Sequence, residues 1–205
     1  MRDVLAFVLA AMFVLAPPAF VANPGTPLTI ADLGPNDEFM AHIEVTQGKD
    51  SLGTLVVRLH HRYAPQHVAN FLKLAQSGFY DGTLFHRTGP ESFVQGGDPL
   101  SRDADPGNDG TGGPGYDLVP ELNDKPHVRG AVASASMGKR DSGSQFFIDL
   151  KDHPEWDGKY TVFGGVTSGI EVADRIAAAR RKGERPIDAF SMQIRIEKRT
   201  KQLKL

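Results

Sequence analysis

Apolar and polar residues alternate along two neighbouring segments of the chain, residues 40–46 and residues 52–60. Alternation with a period of two is typical of a β-strand that buries one face. Between the two segments, residues 47–50 read Gln-Gly-Lys-Asp, a composition that favours a tight turn. The pattern therefore predicts a β-hairpin at the start of the folded domain.

The spacing of apolar residues changes to a helical period after residue 64. The apolar positions at this spacing are Val68, Phe71, Leu72 and Ala75. Pro65 is tolerated in the first turn of a helix, and Gly78 stands where a C-terminal cap belongs. These features predict a first helix that begins near Pro65 and ends before Gly78.

A second helix is expected in the C-terminal part of the chain. Residues 168–171 read Ser-Gly-Ile-Glu, which matches a capping box at the start of a helix. We expect this helix to continue to about Arg181 and to be closed by Gly183. Residues 193–197 then predict a last strand.

The stretch from residue 85 to residue 99 carries the most distinctive chemistry. Phe93 begins a short apolar segment that runs through Gln95 into a Gly-Gly turn, and Arg87 precedes it as a single, buried-looking cation. In an extended chain, Phe93 and Gln95 point to the same side. A guanidinium, an amide and an aromatic ring on one concave surface suit a peptide better than a phosphate or a metal. An Arg87 tied into a structural salt bridge is an equal alternative at this point.

Two further segments are consistent with a groove for an extended peptide. Residues 131–137 form a predicted strand of small residues, which lets another backbone approach closely. Tight packing within a sheet explains the same residues equally well. Further along the chain, Gln145 and Phe147 share one face of a predicted strand.

The bulk composition is that of an ordinary globular protein. The 205 residues favour one domain, or two at most, and 40% of them are hydrophobic and 23% charged. The 22 Gly and 14 Pro residues favour a β protein rich in turns, and a net charge of −2 argues against a nucleic-acid partner. No cysteine is present, which excludes disulfides, thiol catalysis and cysteine-bound zinc.

Two groups of candidate metal ligands do not form a convincing site. Residues 98–115 are rich in Asp, Gly and Pro, but Gly107 occupies the third ligand position of an EF-hand pattern and no glutamate follows at the expected place. His60, His61 and His67 are also candidates, but adjacent histidines in a strand point to opposite faces, which favours solvated side chains. We therefore predict a solvated acidic loop and no metal.

The N-terminal segment predicts export. Residues 4–16 are uniformly apolar after a short charged start, and a pair of prolines follows. This run is short for a membrane span and is typical of a secretory signal peptide. We assign residues 1–22 to a signal peptide or an uncleaved membrane anchor, residues 23–37 to a linker and residues 38–205 to the folded domain. The protein is expected to be exported and to be periplasmic, anchored to the inner membrane or secreted.

The order of predicted elements indicates a mostly β fold, a closed antiparallel barrel with helices at its openings. The chain also resembles the cyclophilin family of peptidyl-prolyl cis-trans isomerases in five collinear blocks. The blocks are residues 85–87, 93–98, 110–113, 143–148, and 157–159 with 162–164. The resemblance extends from about residue 39 to residue 197. It implies the family's fold, an eight-stranded antiparallel β-barrel capped by two α-helices.

This resemblance implies a peptidyl-prolyl cis-trans isomerase that acts on proline-containing unfolded or flexible polypeptides and assists the folding of exported proteins. It implies that Arg87 and Gln95 are catalytic, with Arg87 as the hydrogen-bond donor to the proline nitrogen. The substrate-binding residues that it implies are Phe93, Ala135, Ser136, Gln145, Phe147, Trp156 and Tyr160. The implied reaction needs no metal, nucleotide or other cofactor, and we expect a monomer.

Two departures from the family pattern leave a second function open. Ser92 stands where the family usually has Phe, so that Phe93 would have to fill the pocket from the next position. Ser136 falls in the groove strand, where the family commonly has Ala-Asn-Ala, and one side-chain amide is thereby lost. The alternative is a peptide-binding or chaperone module on the same barrel with weak or no isomerase activity. The intact catalytic pair favours the enzyme.

Overall fold

The computed structural model describes residues 29–136 and 138–200. The predicted signal peptide or anchor, residues 23–28 of the predicted linker, Met137 and residues 201–205 lie outside the described residues. The elements of the described part are, in chain order, β1 (Asp37–Gln47), β2 (Asp50–Leu59), α1 (Pro65–Gln76), β3 (Leu84–Gly89), β4 (Phe93–Asp98), β5 (Asp117–Leu118), β6 (Ala131–Ser136), β7 (Asp141–Asp149), β8 (Val162–Ser168), α2 (Ile170–Ala178), β9 (Arg181–Lys182), β10 (Arg185–Pro186) and β11 (Phe190–Thr200). Short 3-10 helices span Ile30–Asp32, Pro99–Arg102 and Pro154–Trp156. None of the described helices is both long and apolar enough to cross a membrane.

Eight of these strands close into an antiparallel barrel, as predicted. Their order around the barrel is β4-β3-β11-β1-β2-β8-β6-β7, and the pairing of β4 with β7 completes the ring. Closure gives every barrel strand a partner on both sides, which removes the unpaired edges of an open sheet. The predicted hairpin of β1 and β2 is confirmed.

The hydrophobic core fills the barrel and extends onto one side of each helix. In β1 the fully buried residues occur at every second position and are Phe39, Ala41, Ile43 and Val45. Helix α1 buries the predicted stripe of Val68, Phe71, Leu72 and Ala75. Gly78 follows this helix with a φ of 72°, which confirms its capping role. Each large apolar side chain buried here stabilises the fold by roughly 1.5–3 kcal/mol.

The predicted boundaries of α2 are wrong at both ends. The helix begins at Ile170 without a side-chain cap, because Ser168 still belongs to β8 and Gly169 is the N-cap residue. Gly169 has a φ of 82°, and a Cβ at this position would lie 2.0 Å from the carbonyl oxygen of Thr54. The close approach to β2 therefore decides how the helix starts. It ends at Ala178, and Gly183 forms the turn between β9 and β10 instead of closing the helix.

Two other predicted segments have different bounds in the structure. The last strand spans residues 190–200, not 193–197, because it pairs with β1 along its whole length. The described end of the predicted linker contains a helical turn, and Leu33 packs against the core. The division of the chain into signal, linker and domain stays a prediction.

The acidic loop after β4 uses its carboxylates to hold its own backbone. Asp98 accepts hydrogen bonds from the backbone N–H groups of Gly110 and Gly112, and Asp103 accepts one from the backbone N–H of Asp105. Among the described residues, no group of three His, Asp or Glu side chains is arranged to hold a metal ion.

His67 contradicts the expectation of a solvated histidine, since its side chain is only 3% exposed. Its Nδ1 lies 2.7 Å from a carboxylate oxygen of Glu121, and its Nε2 lies 3.0 Å from one of Asp141. Glu121 also accepts the backbone N–H groups of Gln66 and His67 and thereby caps α1 from a distant loop. Burial alone would lower the pKa of His67, but the hydrogen bonds with Asp141 and Glu121 outweigh burial and raise it.

We predict that His67→Ala lowers the free energy of unfolding by about 3–5 kcal/mol, because it leaves the buried Asp141 carboxylate without its cationic partner. The raised pKa of His67 adds a pH dependence. The stabilisation by His67 is fully present below its ordinary pKa of 6.5 and is lost as the pH rises through the raised value. Chemical unfolding followed at several pH values between ~6 and ~9 measures both effects.

His67→Gln is the matched variant, since it keeps hydrogen-bonding groups but cannot carry the charge. The wild-type protein should lose more stability than this variant as the pH rises. Identical pH profiles for the two proteins would show that folding does not raise the pKa of His67.

Candidate active site

The strands β3, β4 and β7 bring three predicted site residues into one row. Arg87 on β3 pairs with Gln95 on β4, and Gln95 pairs with Phe147 on β7. Side chains of directly opposite residues lie on the same face of a sheet, so register alone places a guanidinium, an amide and a ring side by side. Nη1 of Arg87 donates a hydrogen bond of 3.1 Å to Oε1 of Gln95.

A cavity of about 190 Å³ opens over this row. Its lining consists of Arg87, Phe93, Gln95, Ala135, Ser136, Phe147, Trp156 and Tyr160, which are eight of the nine predicted site residues. Phe93 and Gln95 face the same cavity, as the strand alternation predicts. The shared cavity brings together side chains from β3, β4, β6, β7 and the segment before β8.

Gln145 is the predicted site residue that does not line this cavity. Its side chain is buried, its Oε1 accepts a 3.0 Å hydrogen bond from Nε2 of Gln95, and its Nε2 donates to the carbonyl oxygens of Gly110 and Gly112. Gln145 therefore orients Gln95 and ties the acidic loop to the barrel. It also lines a neighbouring cavity of about 450 Å³, on the side of Gln95 and Arg87 that faces the acidic loop.

Four aromatic rings form the apolar part of the cavity. Phe147 lies at the centre, with the rings of Tyr160 and Trp156 edge-on at centroid distances of 5.3 and 5.5 Å and the ring of Phe93 at 6.2 Å. Edge-to-face contacts of this kind contribute roughly 0.5–1.5 kcal/mol each beyond their buried area. The result is a rigid pocket that suits a small apolar ring.

Ser92 takes part in the support of Trp156. A hydrogen bond of 2.9 Å joins the Ser92 hydroxyl to Nε2 of His153, and another of 2.9 Å joins Nδ1 of His153 to the Glu155 carboxylate. The His153 ring stacks on the Trp156 indole at a centroid distance of 3.7 Å and an interplanar angle of 8°. The serine that departs from the family pattern thus anchors the histidine on which Trp156 rests.

A second histidine supports Phe147. The His127 ring lies nearly parallel to the Phe147 ring, and its Nδ1 is 2.8 Å from a carboxylate oxygen of Asp149. Both side chains of this pair are fully buried. Burial raises the pKa of Asp149 more than the hydrogen bond with His127 lowers it. The sequence predictions include neither this pair nor His153, because Asp149 lies 22 residues from His127 and Ser92 lies 61 residues from His153 along the chain.

The expectation of a buried Arg87 is wrong, since its side chain is 47% exposed. The register of β3 against β4 shifts between Phe85 and Arg87, so that Phe85 and His86 are both buried and Arg87 turns outward. Nε of Arg87 donates to the Glu184 carboxylate at 2.6 Å, and its guanidinium carbon lies 5.0 Å from the centre of the Phe93 ring. Arg87 therefore forms a salt bridge, which was the alternative role that its sequence context allowed, and it also lines the cavity.

The sequence relatives fall in one family. Residues 42–199, more than half of the chain, match the family described as Cyclophilin type peptidyl-prolyl cis-trans isomerase/CLD. The chain is 46% identical over 121 residues to peptidyl-prolyl cis-trans isomerase B of Bacillus subtilis. The aligned residues make up 58% of this chain and 80% of the relative. It is 38% identical over 156 residues to a peptidyl-prolyl cis-trans isomerase of Schizosaccharomyces pombe, covering 75% of this chain and 96% of the relative.

Solved structures agree with the sequence relatives. A cyclophilin type peptidyl-prolyl cis-trans isomerase from Cryptosporidium parvum superposes with a TM-score of 0.68 at 28% identity and covers 80% of this chain and 99% of its own. The structure of that protein in the presence of the dipeptide Ala-Pro gives a TM-score of 0.67. The chain belongs to the cyclophilin-type peptidyl-prolyl cis-trans isomerase family, and the predicted fold and enzyme class are confirmed at the level of this family.

The single tryptophan of the chain makes the support of the pocket measurable. We predict that His153→Ala moves the fluorescence emission of Trp156 to longer wavelength, because the indole loses its stacked neighbour and becomes more exposed to water. The same change should lower the free energy of unfolding by at least about 0.5–1.5 kcal/mol, the contribution of one aromatic pair.

Ser92→Ala is the control, since it removes a hydrogen bond of His153 but keeps the stacked ring. Its emission should stay close to that of the wild type. If His153→Ala left the emission unchanged, the stacking of His153 on Trp156 would not be the contact that holds the indole.

Proposed function

We propose that this chain catalyses cis-trans isomerisation of peptide bonds that precede proline, in unfolded or flexible polypeptides. The observation that carries the proposal is the convergence of the Arg87 guanidinium and a four-ring apolar pocket on one cavity. The structure of the Cryptosporidium parvum relative was determined in the presence of the dipeptide Ala-Pro, which has the size that such a pocket suits.

The chemistry follows from the electronic structure of the peptide bond. Its partial double-bond character gives a rotation barrier of ~18–20 kcal/mol. Rotation breaks the resonance and leaves a lone pair on the proline nitrogen. A donor aimed at that nitrogen therefore binds the twisted bond more strongly than either planar form, which lowers the barrier. Arg87 supplies this donor through the N–H groups of its guanidinium.

The remaining site residues hold the substrate around the rotating bond. The proline ring occupies the pocket of Phe93, Phe147, Trp156 and Tyr160, which fixes one side of the bond. Among the residues that the structure describes, the ladders on either side of β6 have no partner residue for Ala135, which supports a pairing of its main chain with an extended peptide.

We further propose that the protein works as a monomer outside the cytoplasm and accelerates the folding of exported proteins. The apolar run of residues 4–16 supports export, and uncatalysed proline isomerisation takes ~10–100 s, long enough to limit folding. The location is periplasmic, with an anchor in the inner membrane if residues 1–22 are retained.

The decisive change is Arg87→Ala. We predict that it lowers kcat/KM for an X-Pro tetrapeptide by about a hundredfold or more, the loss typical of removing one preorganised donor. A protease-coupled isomerisation assay on the protein from Asn23 onward measures this loss.

The control is Lys49→Ala, which changes an exposed residue in the turn between β1 and β2. It should leave kcat/KM unchanged. Peptide binding without turnover in the wild type would instead identify a binding module. Equal turnover of wild type and Arg87→Ala would refute the role of Arg87.

Export is tested separately by expressing the full chain in a bacterial host and determining the N-terminal residue by mass spectrometry. We expect cleavage after Ala22 or after Ala19, which gives a periplasmic protein that begins at Asn23 or Phe20. The intact chain in the membrane fraction would identify an anchor, and the intact chain in the cytosol would contradict export.

A further inference from the structure

Two of the three nitrogens of the Arg87 guanidinium donate hydrogen bonds to residues from different parts of the chain. Nε donates to Oε2 of Glu184 at 2.6 Å, and Nη1 donates to Oε1 of Gln95 at 3.1 Å. Among the described residues, no hydrogen bond partner is recorded for Nη2. A guanidinium carries five N–H groups, so both N–H groups of Nη2 and the second one of Nη1 remain to donate to a substrate.

The backbone of the β9–β10 hairpin fixes the position of Glu184. The carbonyl oxygen of Glu184 accepts a 2.6 Å hydrogen bond from the backbone N–H of Thr88, the neighbour of Arg87, and a longer one from the Thr88 hydroxyl. Next to it, Nε of Arg185 lies 3.2 Å from the Asp109 carboxylate, which joins the hairpin to the acidic loop. The hairpin is thus docked on β3 by contacts that do not involve the Glu184 side chain.

We propose that Glu184 is a positioning residue for the isomerase reaction, which holds the Arg87 guanidinium so that its remaining N–H groups face the proline nitrogen. The inference rests on the proposed role of Arg87 as the donor. An arginine side chain loses much rotamer freedom when it adopts one orientation, and a planar guanidinium held at two nitrogens has already lost it before the substrate binds. The ordering cost is then not part of the barrier to rotation.

The carboxylate has a second, opposing effect, because a negative charge beside the guanidinium weakens its attraction for the lone pair. Side-chain exposures of 47% for Arg87 and 53% for Glu184 decide between the two effects. Water screens the charge of an exposed pair strongly, whereas a short hydrogen bond still fixes the geometry. Orientation therefore outweighs neutralisation, and loss of Glu184 should slow the reaction.

The test compares Glu184→Ala and Glu184→Gln with the control Asp188→Asn. Asp188 lies four residues further along, and its recorded ion pair is with Arg180 at 3.7 Å, so that its removal changes the net charge equally without touching Arg87. All variants are prepared in the wild type and in the Arg87→Ala background. The readouts are kcat and KM on an X-Pro tetrapeptide, the melting temperature, and the NMR signal of the Arg87 Nε–H proton.

We expect Glu184→Ala to lower kcat about threefold to tenfold with little change in KM, as for an interaction that acts at the transition state. Glu184→Gln should recover part of the loss, because its amide oxygen still accepts from Nε. In both variants the Nε–H signal should move upfield and its proton should exchange faster with water. The melting temperature and the activity of Asp188→Asn should match the wild type, and Glu184→Ala should have no effect in the Arg87→Ala background.

An unchanged or increased kcat in Glu184→Ala, with Arg87→Ala still strongly impaired, would overturn the positioning role and leave the proposed function intact. An equal loss in the Arg87→Ala background would also overturn it, since the effect would then not pass through Arg87. If Arg87→Ala retained full activity, the proposed function itself would fail, and the inference with it.

Discussion

The pairing of β4 with β7 is the constraint on which both the fold and the site depend. It closes the barrel, and its register sets Gln95 opposite Phe147 while the β3–β4 pairing sets Arg87 opposite Gln95. A shift of one residue in either pairing would send these side chains to the opposite face of the sheet. The same hydrogen bonds that close the core therefore align the donor, the amide and the ring.

Buried polar pairs form a layer beneath the pocket. His127 with Asp149 supports Phe147, and His153 supports Trp156. A buried polar group is costly unless it is paired, so each pair has one favourable arrangement and holds the ring above it in place. Ser92 joins this layer through the hydrogen bond of its hydroxyl with His153.

The rim of the site comes from connections outside the barrel. The acidic loop is attached through Gln145 and Asp98, and the β9–β10 hairpin is attached through Thr88. The ion pair of Arg185 with Asp109 joins the loop and the hairpin to each other. Arg87 stands where these connections meet, which explains how an exposed arginine keeps a defined orientation.

The sequence by itself determined the features that depend on neighbouring residues: the β1–β2 hairpin, the buried stripe of α1, and the shared direction of Phe93 and Gln95. It also identified the family through short blocks. Only the tertiary structure decided the start of α2, where Gly169 meets the backbone of Thr54, and the outward turn of Arg87 at a register shift. Glu184 lies 97 residues from Arg87 along the chain, and no local period carries information about such a contact. Periodicity records which face of an element is buried, whereas the partners that meet there are set by how the barrel closes.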